Sequence, residues 1–374
     1  MPSTVTTWLV EPRDPLVFRD GRPALDGVPM SCLPFPWPST IAGLSRTIAG
    51  SDEDGVFLFP RNATKLRELL EIKVQGPWMV LLSPQGEILD LAFPAPNDCI
   101  WFPNPTCSET WKQLPIRPTE RKEGELSNLP GDLSPLEPVE GFPPRKPLKE
   151  APSWWRYKDL KQWLQTSPEQ RDVQRGFGLP PLPREERTHV AIDPFERTAI
   201  DGGLFSTESL VFHFPKQEAP LTKEAFNLGI AFACDHPNLR ERPIHIGGER
   251  RISFLRKRDN LLPELPNFKN LGKRLRLVLA TPAPFEGGFR PIEIPGATIY
   301  AAAVGRPQSI SGWDHDKNAP KPCRRMAPAG SVYWIELDDD QNPEAWVHTH
   351  WMQSICESPQ DQRDGFGLIL IGVA

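Results

Sequence analysis

Prolines limit what this chain can fold into: there are 45 among 374 residues, about 12% where an average chain has near 5%. Each one fixes φ and lacks an amide donor, so it ends helices and is confined to the ends, edges and bulges of sheets. Long helices are excluded, and the chain must divide into short elements joined by stiff irregular segments. Thirteen prolines fall in residues 94–152, where apolar periodicity also fails. That stretch is expected to be a long loop or insertion.

Residues 8–50 carry the clearest pattern. Trp8, Leu9 and Val10, followed by Leu16, Val17 and Phe18, read as a strand, and Pro12 and Pro15 between them suit an edge or a bulge. A short helix follows, capped by Ser39 or Thr40, with Ile41, Leu44 and Ile48 on one face, Arg46 on the other and Gly50 closing it. Arg13, Arg19 and Arg22 crowd the loop side, where they can hold an anion or stand as ordinary solvated arginines.

At 39% hydrophobic and 24% charged residues the composition is that of a soluble globular protein, and roughly 100 to 200 residues per domain implies two domains. With no secretory-type leader and no apolar run near the roughly 20 residues that span a bilayer, a cytoplasmic protein without a membrane partner is expected. Six cysteines without a CxxC pair indicate free thiols, not a zinc knuckle or a disulfide framework. The net charge is −5, unevenly spread. Residues 240–276 hold eleven basic and four acidic side chains, net +7, which leaves −12 elsewhere. Such segregation permits a phosphate-binding surface on an acidic protein.

Farther along, residues 62–73 read as a helix, and 77–83 and 87–93 as a strand pair. A helix is expected over 153–165, capped by Ser153 and burying Trp154, Tyr157, Leu160 and Leu164, with a second loop over 168–187. Strands at 188–192 and 210–214 flank an arm rich in Asp, Pro and Gly, long enough to project. The second half offers a helix at 223–228 and strands at 228–234, 298–304 and 331–337. In KRLRLVLATP, Leu275, Leu277 and Leu279 alternate with Arg274 and Arg276, giving one apolar and one basic face.

Two constellations suit phosphate. Gly247 and Gly248 allow close backbone approach beside Arg250, Arg251, Arg256, Lys257 and Arg258, the alternative being a twisted hairpin with a solvated face. Gly365, Phe366 and Gly367 can turn amide groups toward an anion or form a plain turn. His189 on the arm and His245 beside the Gly247 block can each act as a general base, though neither has an adjacent partner. His348 and His350 form an HxH pair on a strand or loop without further ligands of recognisable spacing, and Asp338, Asp339 and Asp340 read as a solvated turn. Nucleotide-loop, metalloprotease, hydrolase and kinase signatures are missing, so neither metal nor cofactor is expected.

The runs EPRDPLVFRDGRP, LPFPWPSTIAGLSRT, HIGGERR and GFGLILIG, with the arm sequence from Thr188 and residues 325–336, resemble the third Cmr-type subunits of type III-B CRISPR effector complexes, within the RAMP superfamily. Residues 94–187 carry little of the resemblance. It implies an α+β fold of two ferredoxin-like (RRM-like) units, at 1–186 and 187–374, with proline-rich insertions, a projecting hairpin arm and a glycine-rich loop. It also implies a non-catalytic RNA-binding subunit of a hetero-oligomeric complex. Such a subunit recognises the 5′ tag of the crRNA and docks the large polymerase-like subunit and a backbone RAMP subunit. On that reading RNA contacts fall on Arg250, Arg251, Gly247, Gly248, Gly365, Phe366, Gly367, His189, Arg197, Arg13, Arg19 and Arg46. Two alternatives are a metal-independent RAMP endoribonuclease that processes precursor crRNA, using His189 or His245, and a scaffold that barely touches RNA.

Overall fold

The computed structural model describes residues 5–19, 32–60, 62–122, 124, 127–139, 143–215, 225–269, 271–314 and 319–374. It is mixed helix and sheet, with strand predominating. In chain order, β1 (Thr7–Pro12) leads through α1 (Pro38–Ala49) and α2 (Ala63–Leu70) to β2 (Gln75–Leu82) and β3 (Ile88–Pro94). An inserted region follows, with β4 (Cys99–Pro103), β5 (Thr110–Pro118), β6 (Leu136–Pro138), β7 (Trp154–Arg156), α3 (Tyr157–Gln165) and β8 (Arg171–Gln174). The arm is β9 (Arg184–Ile192) and β10 (Ala199–Leu210), then β11 (His213–Phe214). The later chain runs β12 (Phe226–Ala233), β13 (Arg242–His245), β14 (Ile252–Lys257), β15 (Arg274–Leu279) and β16 (Ala297–Ala303). Four short strands come next: β17 (Gln308–Ile310), β18 (Trp313–Asp314), β19 (Ala319–Pro320) and β20 (Arg324–Met326). The chain closes with β21 (Val332–Leu337), α4 (Pro343–His350), α5 (Pro359–Asp364) and β22 (Ile369–Val373).

Two sheets organise these elements. The first runs β13-β14-β1-β12-β2-β3-β7, with β11 also on β12. Both β1 and β2 are antiparallel to β12, so they run parallel to each other with β12 between them, and α1 and α2 make the crossover. The second sheet runs β16-β21-β15-β22, all antiparallel. Number the four central strands of each sheet by chain order and both read 4-1-3-2: β14-β1-β12-β2 in the first, β22-β15-β21-β16 in the second. Helices fill the first crossover in one sheet and the last in the other. Because β12 to β14 belong with β1 and β2, the boundary expected at 186/187 falls inside the chain of a single sheet.

Both faces of the sheets are buried. Along β1, Trp8 and Val10 enter one core and Leu9 the other. The first core joins Ile41, Met79 and Phe232 to Leu277, Tyr333 and Ile371, and the second joins Trp78 and Val80 to Val278, Trp334 and Leu370. Each core therefore draws on both sheets.

Several expectations are corrected. β1 is a central strand, paired with β12 and β14, because Pro12 and Pro15 fall where its ladder ends. Trp37, not Ser39 or Thr40, stands at the start of α1, with Pro38 in the first position where a missing amide costs nothing. Gly50 does end α1, with φ −93°; a Cβ there would meet the Phe57 ring at 2.6 Å and Leu69 at 2.8 Å. Residues 94–152 are not loop alone: β5 pairs with β4, β6 and β8 in a small sheet whose prolines sit largely at strand ends. The loop expected over 168–187 contains β8 and the start of β9. The helix expected from Ser153 begins at Tyr157, since Trp154 to Arg156 pair with β3. Its tryptophans are core, as expected, and Trp155 and Trp163 are as deeply buried as the residues on the anticipated face. The helix expected at 223–228 is replaced from Phe226 on by β12, while Lys223 lies outside the described residues.

Candidate functional site

After β1 ends, residues 13–19 run beside the β13–β14 hairpin. The ladder sets this up, pairing Glu11 with Phe254 and Pro12 with Ser253. Arg13 N then donates to Ile252 O (3.1 Å), Ile252 N to Asp14 Oδ2 (3.2 Å) and Gly248 N to Val17 O (2.7 Å). Gly247, at φ +74°, lies so close to Val17 that a Cβ would strike its carbonyl. The turn forces Glu249 (φ 61°) and Arg250 (φ 49°) into the left-handed region. It is held by His245 Nδ1 donating to Arg250 O (2.8 Å) and by the Arg19–Glu249 ion pair (2.9 Å). Strain of this kind persists where the surroundings over-determine it.

Beside the hairpin opens a cleft of about 470 Å³ whose lining includes Glu11, Arg13, Asp14, His213, Arg256 and Arg258. Phe254 organises its cations: the Arg13 guanidinium lies 5.1 Å from the ring centroid and that of Arg256 5.5 Å. Glu11 sits between Arg256 (3.0 Å) and Arg258 (3.6 Å), fixing both without neutralising the group. His213 Nδ1 lies 2.7 Å from Asn227 Oδ1 on the adjacent strand. The root of the arm closes the cleft, with Leu16 N donating to Leu210 O (2.9 Å). Among the described residues the buried Nε of Arg251 has no acceptor. The same holds for the Nε of Arg46 and of Arg117, and none of the three arginines lines the cleft, so this atom marks no ligand by itself.

The structure thus gathers Arg13, Arg19, Gly247, Gly248, Arg250 and Arg251 into one strip, and separates the other expected contacts from it. Arg46 is 11% exposed, paired with Asp364 (2.6 Å) and donating to the carbonyls of Leu70 and Ile72, so it ties α1, α2 and α5 together. Gly365 to Gly367 are buried, and their amides donate to Gln362 O (3.2 Å), Asp361 O (3.0 Å) and Pro282 O (3.0 Å), leaving none for a phosphate. His189 stacks on Phe205 and its Nε2 lies 2.8 Å from Thr207 Oγ1, while Arg197 occupies the arm's tip at φ 55°. Arg22 lies outside the described residues. The basic face expected on β15 is half interior, for Arg276 is fully buried and paired with Asp98. His348 and His350 lie on α4, where residues two apart do not face each other, and His350 stacks on Trp346. Asp338 to Asp340 form an exposed turn, as expected.

A family model described as CRISPR-associated protein (Cas_Cmr3) matches residues 8–374. The chain belongs to the Cas_Cmr3 family. That is the family its N-terminal, hairpin and C-terminal runs resemble. This Cas_Cmr3 chain is also similar to a chain of a solved structure titled "Cryo-EM structure of the Type III-B Cmr-beta bound to cognate target RNA", at TM-score 0.48 and 15% identity, over 97% of this chain and 96% of that one. A second similar chain comes from the same complex "bound to cognate target RNA and AMPPnP, state 1", at TM-score 0.45 and 16% identity, over 88% and 86%. A search of curated proteins finds no match.

Phe254 and Asn227 were not singled out by sequence reasoning. Phe254 lies in the plain alternation ISFLRK, and nothing local reveals that Arg13, some 240 positions earlier, shares its ring. Among the described residues no helix is long and apolar enough to cross a membrane.

Proposed function

We propose that the chain is a non-catalytic RNA-binding subunit of a type III-B CRISPR effector complex, and that the strip from Arg19 through Arg250, Arg251 and Arg13 to Arg258 holds the 5′ tag of the crRNA as a single strand. The observation that carries this reading is the set of three guanidiniums, Arg13, Arg256 and Arg258, held at one cleft beside the turn that leaves Arg250 exposed. Backbone phosphates meet the guanidiniums, and bases find Phe254 and the His213–Asn227 pair. The family supports the CRISPR assignment, and the shared 4-1-3-2 strand order supports two ferredoxin-like units, the first closed only by β12 and β14. Docking of the large polymerase-like subunit and a backbone RAMP subunit belongs to the same reading, as does a cytoplasmic location.

The test is binding of a single-stranded RNA carrying the repeat-derived tag, followed by anisotropy across a salt series. Arg13→Glu and Arg250→Glu are each expected to weaken binding about tenfold at low salt, and to flatten the log-log salt slope by about 0.7 for each phosphate that the variant no longer neutralises. Unchanged affinity in both variants defeats the assignment. Cleavage of the RNA in metal-free buffer, abolished by His245→Ala, establishes a nuclease instead.

A further inference from the structure

The cleft beside the hairpin is less basic than a surface built only for phosphates. Its lining sets three guanidiniums, Arg13, Arg256 and Arg258, against two carboxylates, Glu11 and Asp14. Glu11 has a structural use, since it pairs with both Arg256 (3.0 Å) and Arg258 (3.6 Å). Asp14 has no such use for its charge. Its Oδ2 accepts from Ile252 N (3.2 Å), fixing the chain after β1 to the hairpin, a task that a neutral amide oxygen performs equally well. Among the described residues Asp14 enters no ion pair and its Oδ1 has no hydrogen-bond partner. A carboxylate oxygen is thus left open in the lining of a cleft that otherwise attracts anions, where it weakens phosphate binding.

A second open acceptor belongs to the same lining. His213 Nδ1 is 2.7 Å from Asn227 Oδ1, and a carbonyl oxygen can only accept, so Nδ1 carries the hydrogen. In the neutral ring Nε2 then bears a lone pair. Apart from its phosphate, a nucleotide entering this cleft must therefore offer hydrogen-bond donors. Adenine, cytosine and guanine each carry an exocyclic amine, and a carboxylate accepts readily from such a group. Uracil has none. The single N–H on its pairing edge lies between two carbonyl oxygens, so a carboxylate that reaches it also meets a carbonyl and is repelled.

We propose that Asp14 is a specificity-determining residue of the RNA strip: its open oxygen admits a base bearing an exocyclic amine and rejects uracil, with His213 as the second acceptor. Arg13, Arg256 and Arg258 supply affinity, and Asp14 gives up part of it for discrimination. The inference rests on the RNA-binding reading and names the class of nucleotide that the cleft takes.

The experiment compares the full chain with Asp14→Asn, an isostere that keeps an oxygen for Ile252 N and puts an amide donor where Oδ1 stood. Single-stranded RNAs carrying the repeat-derived tag are titrated by anisotropy, each amino-bearing base being replaced in turn by uracil. In wild type, replacement at the position that enters the cleft is expected to weaken binding about tenfold. In Asp14→Asn that penalty should fall to about twofold or less, while affinity for the unaltered tag holds or rises because a repulsive charge is gone. A second measurement needs no variant: at the same position, a base lacking only its amine (purine for adenine, inosine for guanine) should cost wild type a similar factor. Equal uracil penalties in the two proteins overturn the proposal, and so does a wild-type chain indifferent to uracil at every position. Loss of all RNA binding in Asp14→Asn at an unchanged melting temperature overturns it as well, making Asp14 a general binding determinant. Failure of wild type to bind any tag RNA defeats the RNA reading itself and Asp14 with it, a result distinct from unchanged selectivity.

Discussion

Arg276 is 1% exposed in the middle of β15. Its guanidinium donates to Asp98, to Trp163 O (2.7 Å) and to Val373 O (2.7 Å), joining the inserted region, α3 and β22 at one point. Burial depresses its pKa and the Asp98 carboxylate opposes the shift, so the charge is retained. Removing one member of a buried pair strands the other, at a cost of about 3–5 kcal/mol. Arg276→Met should therefore lose that much stability in urea unfolding, and the double variant Arg276→Met/Asp98→Leu should recover most of it. Equal losses in the single and double variants would mean that the pair carries no such coupling.

At the scale of elements, two glycine loops that look alike in sequence serve different ends. The Gly247 turn leaves Arg250 exposed and sits on the strip, whereas the Gly365 turn is a clasp between the sheets. Gly365 has φ +90°, and a Cβ there would lie 2.7 Å from Gly76 O and 2.8 Å from Val74 O. Thr281 Oγ1 donates to its carbonyl (2.8 Å) and accepts from Leu368 N (2.9 Å), binding the turn to the end of β15. Gly365→Ala should cost at least about 1–2 kcal/mol from the left-handed backbone alone, read as a lower melting temperature. RNA affinity of the folded protein should be unaffected. A selective loss of RNA binding at undiminished stability would return this loop to the binding surface.

For the whole molecule, the pairing of β12 and β14 with β1 means that the first sheet cannot close until residue 257 has been placed, past the inserted region and the arm. The two cores, each fed by both sheets, then leave no unit with a hydrophobic interior of its own. Thermal unfolding is accordingly expected as one transition, coincident by near- and far-ultraviolet circular dichroism. Two separated transitions would show that the sheets are independent after all.

Residues alone determined the local elements whose signals are local: the alternation of β15, the apolar runs of β2 and β3, the apolar face of α1, and the family runs around Arg13, Gly247 and Gly365. They also exposed the basic block at 240–276, because charge segregation is countable in a sequence. Only tertiary structure decided how that block divides, since burial depends on what packs opposite: Arg250 stays in water while Arg276 meets Asp98 from the insertion. It decided the fate of the two glycine turns in the same way, through amides whose acceptors, such as Pro282 and Val17, are remote in the chain. The partnership of Arg13 with Phe254 lay beyond reach for the same reason. Strand pairing across more than 200 residues brings them together, and no periodicity within either segment encodes it.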